Sequence, residues 1–235
     1  MLMLASLPLN VTRAATGPLL SLNSVLALLA GALLLTGFAV AGARWLRDYV
    51  WAYLAQSLVV TAVVVDVGVG TARWDLLLVA ALTILIKVLI IPWQLRRVIE
   101  RLPQQRERSP LLNAPLSLVV ALALSLLAYF SAPSVIASAA VFNQPPLAIS
   151  LALVLIGLFI LSVRRHVVAQ VVGLLTIENG LFSGALAIAF GMPLLVEFGI
   201  LFDVLVAVIV LTLLVTLLHR TLTSAETTEL RRLRG

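Results

Sequence analysis

Seven apolar stretches of bilayer length follow one another along the 235 residues, and they constrain the fold more than any other feature of the sequence. A helix that crosses a bilayer needs about 20 mostly apolar residues, because hydrocarbon offers the backbone no other hydrogen-bond partner. We predict helices over residues 17–43, 50–69, 76–98, 111–130, 147–163, 166–190 and 193–218. The sequence therefore predicts an all-α polytopic membrane protein of about seven transmembrane helices.

The composition agrees with this fold class. Only 11% of the residues are charged, whereas 62% are hydrophobic. A soluble domain carries about 25% charged residues, so this chain lacks the polar surface that water requires. The net charge of +6 could indicate nucleic-acid binding, but the arginines lie in short loops between apolar stretches and no nucleic-acid motif accompanies them. We expect a multi-pass protein of the cell inner membrane.

The arginines also predict the orientation, because cytoplasmic loops carry an excess of basic residues. The predicted helices place Arg13 and Arg73 on the side of the N-terminus. Thirteen arginines lie on the other side: Arg44, Arg47, Arg96, Arg97, Arg101, Arg106, Arg108, Arg164, Arg165, Arg220, Arg231, Arg232 and Arg234. This bias predicts an outside N-terminus and a cytoplasmic C-terminus.

Redox chemistry by this chain is disfavoured by its residue types. The sequence contains no cysteine, which excludes disulfides, thiolate-bound iron–sulfur clusters and cysteine zinc sites. Its two histidines, His166 and His219, belong to different predicted helices. We therefore predict no metal site, no cofactor and no catalytic residues.

Ionisable residues inside the apolar stretches are the candidate functional residues. Lys87, Glu178 and Asp203 lie near mid-depth, and Glu197 and Asp66 lie nearer the outer rim. Each costs about 2.5–3.5 kcal/mol on insertion scales and should face protein or a wet cavity. A lysine with carboxylates at this depth is typical of a proton or ion relay. The alternative is an ion pair that only fixes helix packing.

Helix six carries two further patterns. His166 and Gln170 are four residues apart and share a face, so they could extend a polar path from Glu178 towards the cytoplasm. Alternatively, they are ordinary solvated residues at the interface. The small residues Gly173, Gly180, Gly184 and Ala187 would let a neighbouring helix approach closely. In helix three, Pro92 follows Lys87 by five residues and is expected to kink the helix.

Several short motifs resemble one membrane-protein family, hydrogenase-4 component E. The motifs are Gln56-Ser57-Leu58, the 86–92 segment IKVLIIP, the 177–180 segment IENG, the 195–200 segment LVEFGI and the 202–210 segment FDVLVAVIV. They occur in this order over nearly the whole chain. The resemblance implies an accessory membrane subunit of a proton-pumping assembly related to hydrogenase or respiratory complex I.

The last three helices of that family resemble subunit K of NADH–quinone oxidoreductase and the C subunit of sodium/proton antiporters. The resemblance implies that Glu178 corresponds to a glutamate in the middle helix of subunit K, and Asp203 to a glutamate in its last helix. Arg164-Arg165, before helix six, resembles the short basic loop of subunit K. Three departures are an aspartate at 203, a shorter interval between Glu178 and Asp203, and a basic pair that lies about one turn further from Glu178. We expect a four-helix part over 1–145, a subunit-K-like part over 146–220 and a cytoplasmic tail over 221–235.

The resemblance implies that the partners are antiporter-like and hydrogenase or quinone-module subunits, which would carry the redox centres. Two other functions remain open from the sequence. The chain could be a structural scaffold that docks an antiporter-like subunit, or a small independent transporter. No internal repeat of the kind common in transporters is evident between helices one to four and five to seven.

Overall fold

The structure, a computed structural model, describes residues 17–70, 72, 74–102, 112–138 and 144–188, with the single positions 206 and 210. Over these residues the regular elements are helices: α1 (Gly17–Gly42), α2 (Leu46–Gly70), α3 (Trp74–Glu100), α4 (Ala114–Ser138), α5 (Gln144–Val163) and α6 (Val167–Ile188). They confirm the first six predicted helices. Most of the seventh lies outside the described residues, although Val206 and Val210 are helical and buried.

Two helices begin at least three residues earlier than the apolar pattern predicted. We placed Asp48 just outside α2, but the helix begins at Leu46 and Asp48 lies in its first turn. A carboxylate there is favourable because the N-terminal end of a helix is electropositive. Similarly, α5 begins at Gln144 and includes Pro145 and Pro146. Proline is tolerated in a first turn, where its missing N–H has no intrahelical partner to lose.

Helix α3 contains a π-helical segment at its centre. Residues Ile84–Ile90 have this wider turn between the α-helical parts Trp74–Thr83 and Ile91–Glu100. The N–H of Ile91 bonds to the carbonyl of Ile86, five residues back. The next residue, Pro92, cannot donate a backbone hydrogen bond, and the wider turn directly precedes it. The kink expected at Pro92 stays a prediction. Lys87 is the one buried residue of this segment.

The six helices alternate in direction. One core cluster joins the end of α1 and start of α2 to the last part of α3, the start of α4, the end of α5 and the start of α6. A second cluster joins the end of α2, the start of α3 and Phe182 and Leu186 of α6. We call the end of the bundle that holds the first cluster the basic end, because the described arginines lie there. The other end, with Gly70 and Trp74, is the opposite end.

The outer surface matches the dimensions of a bilayer. Five helices, α2 to α6, are long and apolar enough to cross a membrane. Exposed tryptophans mark the basic end at Trp45, Trp51 and Trp93, and Trp74 marks the opposite end. Nineteen residues separate Trp74 from Trp93, which is about 28 Å of helix and close to the thickness of the hydrocarbon core. Tryptophan prefers both interfaces of a membrane, so this spacing supports a transmembrane placement.

The predicted orientation can be measured with reporter fusions. A fluorescent protein fused after Gly235 should fold and fluoresce, and alkaline phosphatase fused there should be inactive, because the basic end is expected in the cytoplasm. The same reporters inserted in the turn at Ala72 are the control and should give the reverse result. Active phosphatase at Gly235 would show that the predicted orientation is wrong.

Helices α5 and α6 pack with their backbones in close contact. An ideal Cβ atom on Gly157 would lie 2.6 Å from Ile177 Cγ1 and 2.8 Å from the carbonyl oxygen of Gly173. A Cβ atom on Gly180 would lie 2.9 Å from the carbonyl oxygen of Ser150. These distances leave no room for a methyl group. The prediction that the glycines of helix six permit close approach of a neighbour is confirmed, and that neighbour is α5.

Candidate functional site

The structure brings Lys87 and Glu178 together in the centre of the bundle. Lys87 Nζ lies 2.9 Å from Glu178 Oε1, and both side chains are only 1% exposed. Lys87 is at the middle of α3, and Glu178 is eleven residues into α6, about 17 Å along the helix axis. Both charges therefore lie at mid-depth, where an isolated charge would be expensive. The ion pair neutralises them together.

Two amide side chains extend the ion pair to a third helix. Lys87 Nζ donates a hydrogen bond to Asn179 Oδ1 at 3.0 Å. Asn179 Nδ2 in turn donates to Gln56 Oε1 of α2 at 3.2 Å. Gln56 and Asn179 are fully buried. The result is a polar chain across α6, α3 and α2, with Lys87 bonded to both a carboxylate and an amide.

Residues Ile177–Gly180 of α6 supply the acidic end of the polar chain. Their order along the helix explains which neighbouring helix each residue contacts. Glu178 and Asn179 are adjacent, so both can reach the ammonium group of Lys87. Ile177 and Gly180, on either side, contact α5 instead. The ring of Phe182, one turn further along α6, lies 5.6 Å from Lys87 Nζ and presents its face to the cation. We therefore expect the packing of Ile177 and Gly180 against α5 to position the site.

This arrangement can hold and move a proton. A lysine and a carboxylate in direct contact can exchange a proton without a large movement of either side chain. The surrounding amides can keep hydrogen bonds to either form, because an amide is both donor and acceptor. The residues that the structure describes contain no group of three or more histidine, cysteine, aspartate or glutamate side chains that could hold a metal ion.

The three remaining predicted acids lie apart from this pair or outside the described residues. Asp66 is near the end of α2, ten residues beyond Gln56, and it is partly buried. Its Oδ2 atom is buried and accepts no hydrogen bond from the described part of the chain. Glu197 and Asp203 both lie outside the described residues, so their place in a path stays a prediction.

His166 and Gln170 lie at the start of α6, where each side chain makes a local hydrogen bond. His166 Nδ1 accepts a hydrogen bond from the backbone N–H of Val168 at 3.3 Å. Gln170 Nε2 donates to the carbonyl of Arg164 at 3.0 Å. Both bonds satisfy backbone groups around the helix N-terminus. A polar path from these residues to Glu178 stays a prediction.

Sequence reasoning missed the structural role of Arg164, which we interpreted as a topology signal and as part of a loop that resembles one in subunit K. Its side chain is 2% exposed. One guanidinium nitrogen donates to the carbonyl of Ala41 at 2.7 Å and to Ser117 Oγ at 3.3 Å. Arg164 therefore ties the end of α1 to α4 and to the α5–α6 connection. Its neighbour Arg165 is exposed, and nothing in the pair Arg164-Arg165 distinguishes the two by sequence alone.

Comparison with known proteins finds relatives that match over nearly the full length of the chain. The chain is 33% identical over 208 residues to an uncharacterized protein of Mycobacterium tuberculosis, covering 87% of this chain and 94% of that protein. It is 30% identical over 207 residues to hydrogenase-4 component E of Escherichia coli K12, covering 88% of this chain and 96% of the relative. Hydrogenase-4 component E of Shigella flexneri gives the same values. No protein-family model and no solved structure match the chain.

The bundle of bilayer-length helices with a charged pair at mid-depth defines the class, a polytopic membrane protein with an ionisable interior. The identity and coverage then define the family. The chain belongs to the hydrogenase-4 component E family, as its motifs around Gln56, Lys87 and Glu178 indicated.

Proposed function

We propose that this protein is an accessory inner-membrane subunit of an ion-translocating redox complex related to hydrogenase-4 or complex I. Its relatives in Escherichia coli and Shigella flexneri are named hydrogenase-4 component E. Its part in the complex is to carry protons, or sodium ions, through the bilayer interior beside antiporter-like and hydrogenase or quinone-module subunits. The electron-transfer centres belong to those partners.

The observation that carries this proposal is the ion pair of Lys87 and Glu178 at mid-depth. Membrane proteins rarely retain charges there unless the charges act in a pathway. Here the pair joins Asn179 and Gln56, so the polar groups form a lateral chain and not an isolated contact. Lys87 also lies in a π-helical segment, and such segments are frequent at functional sites.

We propose that the path continues beyond this pair. Asp203 extends it laterally within the last helix, and Asp66 and Glu197 connect it to the outer side. His166 and Gln170 connect it to the cytoplasmic side. The division into a four-helix part over 1–145, a subunit-K-like part over 146–220 and a tail over 221–235 belongs to the same proposal.

Replacing Glu178 by Gln tests the relay. Glutamine keeps an oxygen that accepts from Lys87 but removes the exchangeable charge. We expect the complex to assemble at normal levels, while proton uptake coupled to electron transfer falls at least tenfold. Assembly is measured on native gels, and proton uptake is measured in the same membrane vesicles. Glu100→Gln, the same change at an exposed carboxylate at the basic end of α3, is the matched control and should alter neither quantity.

A scaffold function is the second candidate, and a specific observation favours it. The ion pair and its two amides link α2, α3 and α6 directly, which is what a structural clamp requires. A clamp predicts the reverse order of effects. Glu178→Gln would then reduce assembly first, and whatever complex did assemble would pump normally. Normal assembly with normal pumping in Glu178→Gln, Lys87→Met and Asp203→Asn would leave the relay without support.

A further inference from the structure

Three serine and threonine hydroxyl groups on the helices that build the site lack the hydrogen bond that is usual in helices. Serine and threonine in helices commonly donate to a carbonyl of the preceding turn. Six described side chains do so: Thr36, Thr61, Ser125, Ser150, Ser162 and Thr176. Ser57, Thr83 and Ser183 have buried hydroxyls that make no hydrogen bond to the described residues. They belong to α2, α3 and α6, the helices that build the site.

Two of these hydroxyls lie about one helical turn from residues of the polar chain. Thr83 precedes Lys87 by four residues, and Ser183 follows Asn179 by four, so each lies about one turn away on a shared face. Because α3 and α6 run in opposite directions, both turns extend towards the opposite end of the bundle. Ser57 directly follows Gln56, whose Nε2 atom also makes no hydrogen bond to the described residues. Thr83 is 1% exposed.

Buried polar atoms that lack a hydrogen-bond partner among the described residues, on the three helices that build the site, indicate a polar ligand. A hydroxyl or amide without a partner in an apolar interior costs several kcal/mol, and hydrocarbon cannot relieve this cost. A buried water molecule typically makes about three hydrogen bonds to such groups. A metal cation is disfavoured at the same place, because the ammonium group of Lys87 already neutralises Glu178 and would repel a second cation.

We infer that Thr83, Ser183 and Gln56 bind ordered water beside the Lys87–Glu178 pair, on its side towards the opposite end of the bundle. The water completes the hydrogen bonds of the two hydroxyls and of Gln56 Nε2. The water site itself does not depend on the proposed function. Its consequence does rest on that function: the water would connect the ion pair to the outer half of the proton path. Thr83 and Ser183 are thereby assigned as water-binding residues.

The absence of native cysteine allows a direct test with single cysteines in the full chain. A thiol reacts as its thiolate, which forms far more readily in a hydrated site than in an apolar one. Thr83→Cys and Ser183→Cys, in native membranes, are treated with the small neutral reagent methyl methanethiosulfonate. Thr176→Cys is the matched control, since Thr176 is fully buried on α6 two residues from Glu178 and bonds to its own helix. Asn113→Cys, at an exposed position, is the reactive reference.

We expect both test cysteines to react at least tenfold faster than the cysteine at 176. Rates as slow as that control, with rapid reaction at 113, would overturn the inference. Labelling does not depend on pumping, so the water site and the relay can fail separately. Should a cysteine variant not accumulate, the midpoint of thermal unfolding gives a second test. Thr83→Val and Ser183→Ala should lower the midpoint if the hydroxyls bind water, whereas an increase would mean that the site is dry and the inference wrong.

Discussion

Replacing Lys87 by Met should destabilise the protein by about 3–5 kcal/mol, the usual cost of leaving one member of a buried ion pair without its partner. Methionine fills most of the volume of lysine but cannot donate to Glu178 or Asn179. The carboxylate of Glu178, 1% exposed, would then lose the ammonium group 2.9 Å away. Unfolding of the purified chain in detergent micelles measures the loss.

The double variant Lys87→Met/Glu178→Gln separates charge from packing. It removes both charges and should recover more than half of the stability that Lys87→Met loses. Glu178→Gln alone should cost less than Lys87→Met, because the glutamine oxygen still accepts a hydrogen bond. Leu89→Met, also in the π segment but 56% exposed, is the control for the methionine and should be close to neutral. A double variant no more stable than Lys87→Met would show that the loss comes from packing and not from charge.

The fold was largely predictable because the bilayer restricts the choices. Apolar stretches of fixed length must become helices. Six of them were confirmed with bounds that differ by at most four residues, except that α4 ends at Ser138, eight residues beyond its predicted end. The contact of Lys87 with Glu178 follows from the same restriction, since both residues were predicted at mid-depth and neither could face lipid without cost. The depth of a residue in the bilayer can be estimated from the sequence, because each residue advances a helix by about 1.5 Å.

The direction in which a side chain points around a helix was harder to predict. The π segment changes the phase of α3 at Lys87, and no residue before Pro92 signals where the wider turn begins. The place of Gln56 in the polar chain could have been predicted from the sequence, because Gln56 is an amide within an apolar stretch. The burial of Arg164 could not have been predicted, because it depends on packing between α1, α4 and the α5–α6 connection, which are distant in sequence.

Replacing Gly157 by Ala should destabilise the bundle by about 1–3 kcal/mol, the usual range for added volume in a well-packed core. The new methyl group would lie 2.6 Å from Ile177 Cγ1 and 2.8 Å from two backbone atoms, the oxygen of Gly173 and the nitrogen of Ile177. A flexible side chain could move aside, but a helix backbone moves only as a whole. Alanine is favoured over glycine in a helix by about 1 kcal/mol, so the steric cost must exceed this gain. Gly31→Ala, where the methyl group meets nothing within 4 Å, is the matched control and should be neutral or slightly stabilising.

This substitution should also weaken the ion pair, which is a sharper expectation than the loss of stability. Ile177 is bonded directly to Glu178, so a shift of α6 away from α5 moves the carboxylate relative to Lys87. The coupling energy between Lys87→Met and Glu178→Gln, obtained from a double-mutant cycle, should therefore be smaller in the Gly157→Ala background than in the Gly31→Ala background. Equal coupling in both backgrounds would mean that α6 keeps its position at Glu178 while α5 moves. In that case the packing of α5 against α6 would not be what positions the site.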